Sequence, residues 1–368
     1  MTAKVSRLEK KIALNFENKE YYEAHQGYRM LYNRLAAENK WSEQQDKLYT
    51  AVLQFIAVNE FLSAFDLAEL FVSSLHKAKT PVSDEVLDRL EEIMRRLPAK
   101  LPNDSAAKEK CIDKRSTFLS LSIQWSMMVG QKKQERERGN PELHRRFATV
   151  FWQENNYYAA RRHFMLSENS DAFAAFLIEF QQEEGLQGEF DLFIAQAVLQ
   201  LFADRRYKFA SSLLTKYCKD HPLIHGELPN KFPLLNFLHF LSKAIPTRKL
   251  VIFSKLVESY EVVIMRDPRF YGYLDKIGQN YFHLPPKEAN GGGHGLLGTL
   301  LRGLICNNAA NENDHEDDMS DEEDLKCALG EDGYVTASSS VDESNPPSPM
   351  PDAKRRKVPT NDDDMELD

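Results

Sequence analysis

Apolar and small residues return along the first three hundred positions with the period of an α-helix. In Asn18 to Leu35, NKEYYEAHQGYRMLYNRL, the residues Ala24, Tyr28, Leu31 and Leu35 fall at i, i+4, i+7 and i+11, which is one face of a helix, and Tyr21 joins it. An aromatic followed three residues later by alanine opens this run. The same pair returns at Phe61/Ala64, Tyr157/Ala160 and Tyr207/Ala210. The nearest echo is NNYYAARRHFML at Asn155 to Leu166, where a turn, a doubled tyrosine, an alanine and a later aromatic keep the same order. The intervals are irregular, so no single tetratricopeptide period applies. Antiparallel helix pairs of this kind bury their stripes only by stacking on neighbours. That predicts an all-α chain, an α-solenoid that is TPR-like with an irregular repeat.

Further stripes follow the same logic. Val5, Leu8, Ile12 and Phe16 predict a first helix, and Leu48, Val52 and Phe55 another. Leu62, Phe65, Ala68, Val72 and Leu75 come next, then Leu87, Leu90, Met94 and Leu97 behind a Pro81/Ser83 start signal. A long helix is expected through Ile112, Leu119 and Ile123, ending at the charged connection Gly130 to Asn140, which is the expected internal hinge. Pro141 restarts the rhythm with Leu143, Phe147, Val150 and Phe151, and the last helices are expected over Leu235–Ile245, Leu250–Met265 and Phe270–Phe282. His221 to Pro233, HPLIHGELPNKFP, interrupts it. Three prolines and Gly226 forbid a helix of any length there and leave a small β-hairpin or a plain loop.

Beyond Leu284-Pro285-Pro286, a GGGHG linker precedes a leucine face, Leu296 to Leu304, too short to be a stable helix alone. The expected organisation is therefore an N-terminal solenoid half over 1–130 and a C-terminal half over 141–286. A linker with a short leucine helix over 287–306 and a disordered acidic tail over 307–368 complete it.

Charge sharpens that division. Residues 307–368 hold 19 acidic and 5 basic side chains, a net of -14, so the whole-chain -9 leaves +5 on the first 306 residues. The four cysteines, Cys111, Cys218, Cys306 and Cys327, lie far apart and without zinc-ligand spacing, the pattern of free thiols in a reducing compartment. No stretch approaches the roughly 20 apolar residues of a membrane span, and the N-terminus has no signal-peptide core, so an intracellular, soluble chain is expected. There is no phosphate loop, HExxH, GxSxG or dinucleotide fingerprint. His144, His163 and His239 each stand alone among helical neighbours. No catalytic residue, metal ligand or cofactor is expected, and the chain is read as a non-enzyme.

The informative surface is on the Tyr21 helix. Opposite its buried stripe lie Tyr22, Gln26, Arg29 and Asn33, with His25 on the flank and Lys4, Arg7, Lys10, Lys11 and Lys19 nearby. An exposed tyrosine beside an arginine is interface chemistry, and the basic surround favours an acidic partner; the alternative is an ordinary solvated face.

NKEYYEAHQGYR, PELHRRFATVFWQENNYYAARRHF, PLLNFLHFL, RDPRFYGYLDKIGQNYF followed by LPPK, and GLLGTLL together resemble the Golgi to ER traffic protein 4 family. The similarity runs in order over about residues 5 to 305. The resemblance implies a cytosolic adaptor of tail-anchored membrane protein targeting. Its N-terminal helices would hold the homodimeric targeting ATPase, through Tyr22, His25, Gln26 and Arg29. Its C-terminal half would hold a ubiquitin-like-domain scaffold of the pre-targeting complex, around His221, Pro222, Leu223, Ile224, Phe232 and Leu235.

The alternative is a helical-repeat subunit of a proteasome-lid-like or translation-initiation-like complex, for which a strand-rich winged-helix end is expected. Pro268 to Phe282 has helix period instead, and a body of only +5 without an aromatic and basic stripe argues against nucleic acid. In the tail, Lys354, Arg355, Arg356 and Lys357 make either a nuclear-import signal or an internal charge balance.

Overall fold

A computed structural model of the chain describes residues 3–99 and 105–285. All regular structure among them is helical. α1 (Ala3–Glu17), α2 (Tyr21–Ala37), α3 (Trp41–Ala57) and α4 (Phe61–Ala78) follow one another across three-residue breaks, and α5 (Asp84–Arg96) and α6 (Ser105–Met128) complete the first half. A short α7 (Lys133–Arg138) leads to α8 (Pro141–Gln153), α9 (Tyr157–Leu166), α10 (Ser170–Glu184), α11 (Phe190–Ala203) and α12 (Tyr207–Asp220). The described chain ends with α13 (Pro233–Ala244), α14 (Leu250–Ser259), α15 (Glu261–Ile264) and α16 (Arg269–Phe282). Neighbours stack in sequence, α1 on α2, α3 on α4 and α8 on α9, and α11 gathers α12, α13 and α16 around it. This is the α-solenoid that the stripes predict. The leucine face at 296–304, the tail 307–368 and Lys354 to Lys357 lie outside the described residues.

The recurring aromatic and alanine have a common structural cause. Lys19, Asn39, Asn59, Asn155 and Arg205 all adopt positive φ, between 53° and 63°, and each stands two residues before the aromatic that opens the next helix. The residue after each donates its N–H back to a carbonyl five positions earlier: Glu20 to Asn15, Lys40 to Leu35, Glu60 to Phe55, Asn156 to Phe151 and Arg206 to Leu201. This is the Schellman closure, which satisfies carbonyls that a helix end leaves orphaned. Left-handed backbone costs a non-glycine residue about 1 kcal/mol, and asparagine, which takes three of the five positions, tolerates it best. The alanines Ala24, Ala64, Ala160 and Ala210 close the first turn of the following helix and are fully buried, so the adjoining helix can approach there. At Gly27 the approach is closer still. An added Cβ would lie 2.5 Å from Ile12 Cγ1 of α1.

Packing corrects several expectations. In α6 the buried stripe is Phe118, Ser122, Trp125 and Ser126, while Leu119 and Ile123 are only partly covered. Two small serines let the helix sit close, and Trp125 Nε1 donates to the Thr80 carbonyl at 3.0 Å. Leu62 is 52% exposed, because Phe61 and Phe65 already turn α4 toward the core. The single helix expected over Leu250–Met265 breaks at Tyr260, whose ring packs 5.7 Å from Phe237 of α13.

Last, 221–232 contains turns and bends and no strand and Pro233 already opens α13, so the plain loop holds and the hairpin does not. The prolines remove donors, and side chains take the backbone groups that a ladder would use. Asn236 bonds both the N–H and the carbonyl of Asn230, and Asn230 Oδ1 accepts from Phe232 N.

Across the charged connection at 130–140 the core is continuous. Arg146 of α8 reaches Asp88 and Glu91 of α5, and Arg115 of α6 bonds Glu154 just beyond α8 and the Met94 carbonyl. Nothing in that packing isolates a hinge.

Candidate partner-binding faces

α2 presents the predicted stripe, but its members play different parts. Tyr22 is 71% exposed and Asn33 is exposed, whereas Gln26 is half-buried and His25 is buried. His25 turns inward to Asp66 of α4, Nε2 to Oδ2 at 2.8 Å, and its ring meets Phe55 edge-on. A carboxylate only accepts, so the His25 Nε2 carries the proton, and Nδ1 is free to accept from Gln26 Nε2 at 3.4 Å. Arg29 Nη1 completes the cluster on the same acid, 2.6 Å from Oδ1 and 2.7 Å from Oδ2. The His25 hydrogen bond first, and the Arg29 guanidinium with it, hold the Asp66 carboxyl below its ordinary range against the opposing effect of burial.

Asp66 is the member that sequence reasoning missed. It lies forty-one residues from His25, inside a helix whose own pattern is apolar, and no local signal points from one to the other. Its effect is mechanical. One carboxylate pairs with the inward histidine and the outward arginine, so α2 is keyed to α4 and Arg29 is tethered on the face that also carries Tyr22. Arg7, Lys10, Lys11 and Lys19 are exposed on α1 and the first turn. Glu20 and Glu23 are exposed as well, so the surround is basic but not uniformly so.

The second region divides more sharply. His221, Ile224 and Leu235 are buried, Phe232 is half-buried, and Pro222 and Leu223 are exposed. A partner meeting this segment would touch Pro222, Leu223 and the edge of Phe232, with the other three acting as its foundation. Beside it lies a cavity of about 290 Å³ lined by Gln181, Gln182, Gly185, His221, Pro222 and Leu223.

The histidines judged solitary are not all so. His144 and His163 meet in the core, Nδ1 to Nδ1 at 2.9 Å, and the His144 Nε2 is 2.8 Å from the Arg138 carbonyl. The separation in sequence hides the pair; adjacency of α8 and α9 makes it. Because that carbonyl only accepts, His144 donates from Nε2, so His163 must donate from Nδ1 to His144 Nδ1. Burial pushes His144 down to about 4 and His163 well below its ordinary value. Among the described residues no group of three or more His, Cys, Asp or Glu converges as metal ligands would, and no helix is long and apolar enough to cross a membrane.

Residues 38–304 match the model of the family described as Golgi to ER traffic protein 4. The Golgi to ER traffic protein 4 homolog of Bos taurus is 36% identical over 316 residues, covering 86% of this chain and 92% of that protein. The Homo sapiens homolog is 36% identical over 317 residues, 86% and 91% of the two chains. The crystal structure of C. therm. Get4 superposes with a TM-score of 0.65 at 20% identity, over 84% of this chain and 96% of the other, and thereby shares the fold. Matched over most of its length by both the family model and these relatives, the chain belongs to the Golgi to ER traffic protein 4 family.

Proposed function

We propose that this chain is a non-enzymatic adaptor that acts in the cytosol and brings the tail-anchored-protein targeting ATPase together with a ubiquitin-like-domain scaffold. The observation that carries the reading is the α2 face, where an exposed Tyr22 lies two turns from an Arg29 paired with Asp66. Tyrosine and arginine are the residues that most often dominate binding energy at interfaces, and an arginine held in place loses less entropy when it is captured. Residues 1–130 take the ATPase and residues 141–286 the scaffold. The chain supplies no chemistry. It raises the effective concentration of a client-loaded scaffold at the ATPase, so that handover becomes a local event.

Replacing Pro222 to Asn230 by a short Gly-Ser loop in the full chain tests the division. Scaffold capture should be lost while ATPase capture persists, measured by co-precipitation of each partner separately. If the scaffold still binds normally, this segment is a connector and the second half of the proposal fails.

A further inference from the structure

α14 is apolar beyond what it buries. Leu250, Val251, Ile252, Phe253, Leu256 and Val257 make six of its ten residues, yet only Phe253 and Val257 are buried. Val251 is 66% exposed and Ile252 42%, and Leu256 is half-buried. At about 100° per residue, Ile252 and Leu256 stand one turn apart on one flank with Val251 beside them, away from the side on which Phe253 packs inward. Single exposed apolar residues are ordinary on a protein surface, but a helix that is apolar on more than one side is suited to being covered on more than one side. Its position sharpens the point. α14 packs chiefly on α13, α15 and α16, the last helices of the stack, and the outer face of a solenoid's last layer is normally polar.

The described chain also ends against this helix. Leu284 is buried, and a Cβ on Gly278 would meet Leu284 and lie 3.5 Å from Phe253. Phe282 stacks on Phe253 at a centroid distance of 4.5 Å. Ten residues, PKEANGGGHG, then separate Pro285 from Leu296. A glycine-rich chain of that length spans about 17 Å root-mean-square and at most about 35 Å, whereas α14 is only about 15 Å long. All of α14 is therefore within reach. Leu296, Leu297, Leu300, Leu301 and Leu304 recur at helical period, with Thr299 and Arg302 on the other side, and as a helix the stretch would be about 14 Å long. It is too short and too rich in glycine to hold a helix without a surface to lie on. The family match runs through Leu304 and stops before the acidic tail.

We propose that residues 296–304 fold back as the last layer of the solenoid and lay their leucines on Val251, Ile252 and Leu256 of α14. The ten-residue tether makes the contact intramolecular. An effective concentration in about the millimolar range then maintains a contact too weak to form between separate molecules. Neither the ATPase nor the scaffold is needed for it.

Hydrogen exchange and methyl spectra of the full chain, with no partner present, provide the test. Amides of 296–304 should exchange at least about tenfold slower than those of an unstructured chain, at a rate independent of protein concentration. Val251→Asp with Ile252→Asp, both at exposed positions, should return them to the unstructured rate. Leu300→Asp with Leu301→Asp leaves the core of the body intact and should shift the methyl signals of Val251 and Ile252. Unprotected amides in the parent, or protection that survives Val251→Asp with Ile252→Asp, overturns the proposal. Unmoved methyl signals do so as well. Protection that rises with concentration would give the face to a second copy, and protection that appears only with the scaffold added would give it to that partner; either result overturns the proposal.

Discussion

At pH 4.5 the protein should melt roughly 5 °C below its midpoint at pH 7, because two buried histidines must take up protons to unfold with the chain. The folded His144 is pushed down to about 4 from an ordinary 6.5, and His163 moves the same way. Between those values the unfolded chain binds more protons than the folded one, so stability falls as pH drops. The contribution is fully present above about 6.5 and is lost progressively toward 4. For His144 alone the loss between pH 7 and 4.5 is about 2 kcal/mol. His221 and His239, also lowered by burial, act in the same direction. Glu142, held below an ordinary 4.5, begins to give up its stabilisation near this pH and adds in the same direction, whereas Asp66, held below an ordinary 3.8, loses its own mainly at lower pH. A double variant, His144→Gln with His163→Met, isolates the pair. Its midpoint should vary distinctly less between pH 7 and 4.5, and an undiminished pH dependence would show that the pair is not the cause.

Tyr22→Ala is expected to weaken the ATPase complex by at least about tenfold and leave the thermal midpoint within a degree or so of the parent. Tyr22 is 71% exposed and is not part of the buried core, so truncation removes mainly solvent-facing area. Arg29→Glu should weaken binding further. Taken as a free surface charge, Arg29 could be reversed at no cost to the fold; its pairing with Asp66 makes that untrue. The reversal sets two carboxylates against each other and leaves His25 as the acid's only cation-capable partner, so a loss of about 1 kcal/mol in stability accompanies it. Matching Kd values for parent and Tyr22→Ala would remove this face from the account. Added salt should weaken the parent complex more than the Arg29→Glu complex.

How far the sequence carried the fold follows from the reach of each signal. The aromatic and alanine pairs at 21/24, 61/64, 157/160 and 207/210 are local features of a helix start, and the Schellman turns that place them are equally local, so periodicity found them. Misplaced features depended on a second element. The α6 stripe is decided by Trp125 reaching Thr80, the break at Tyr260 by Phe237, and the loop at 221–233 by Asn236 bonding Asn230. The same limit applies to the two candidate faces. Tyr22 and Arg29 were visible as a polar stripe, but Asp66, which orders them, lies on α4, and His25 proved to be a buried strut. At the other face the family motif marked His221, Ile224 and Leu235 beside Pro222 and Leu223, without distinguishing foundation from surface. That distinction needs burial, which no spacing rule supplies.

Two partners should bind this chain at once on separate faces, and sedimentation of the full chain with both partners would show it. With the ATPase and the scaffold each in excess, one ternary species is expected, its mass the sum of all three components. Tyr22→Ala should remove only the ATPase from it, and the Pro222–Asn230 replacement only the scaffold. Two binary species that exclude each other, with added scaffold displacing the ATPase, would mean that the two faces are not separate.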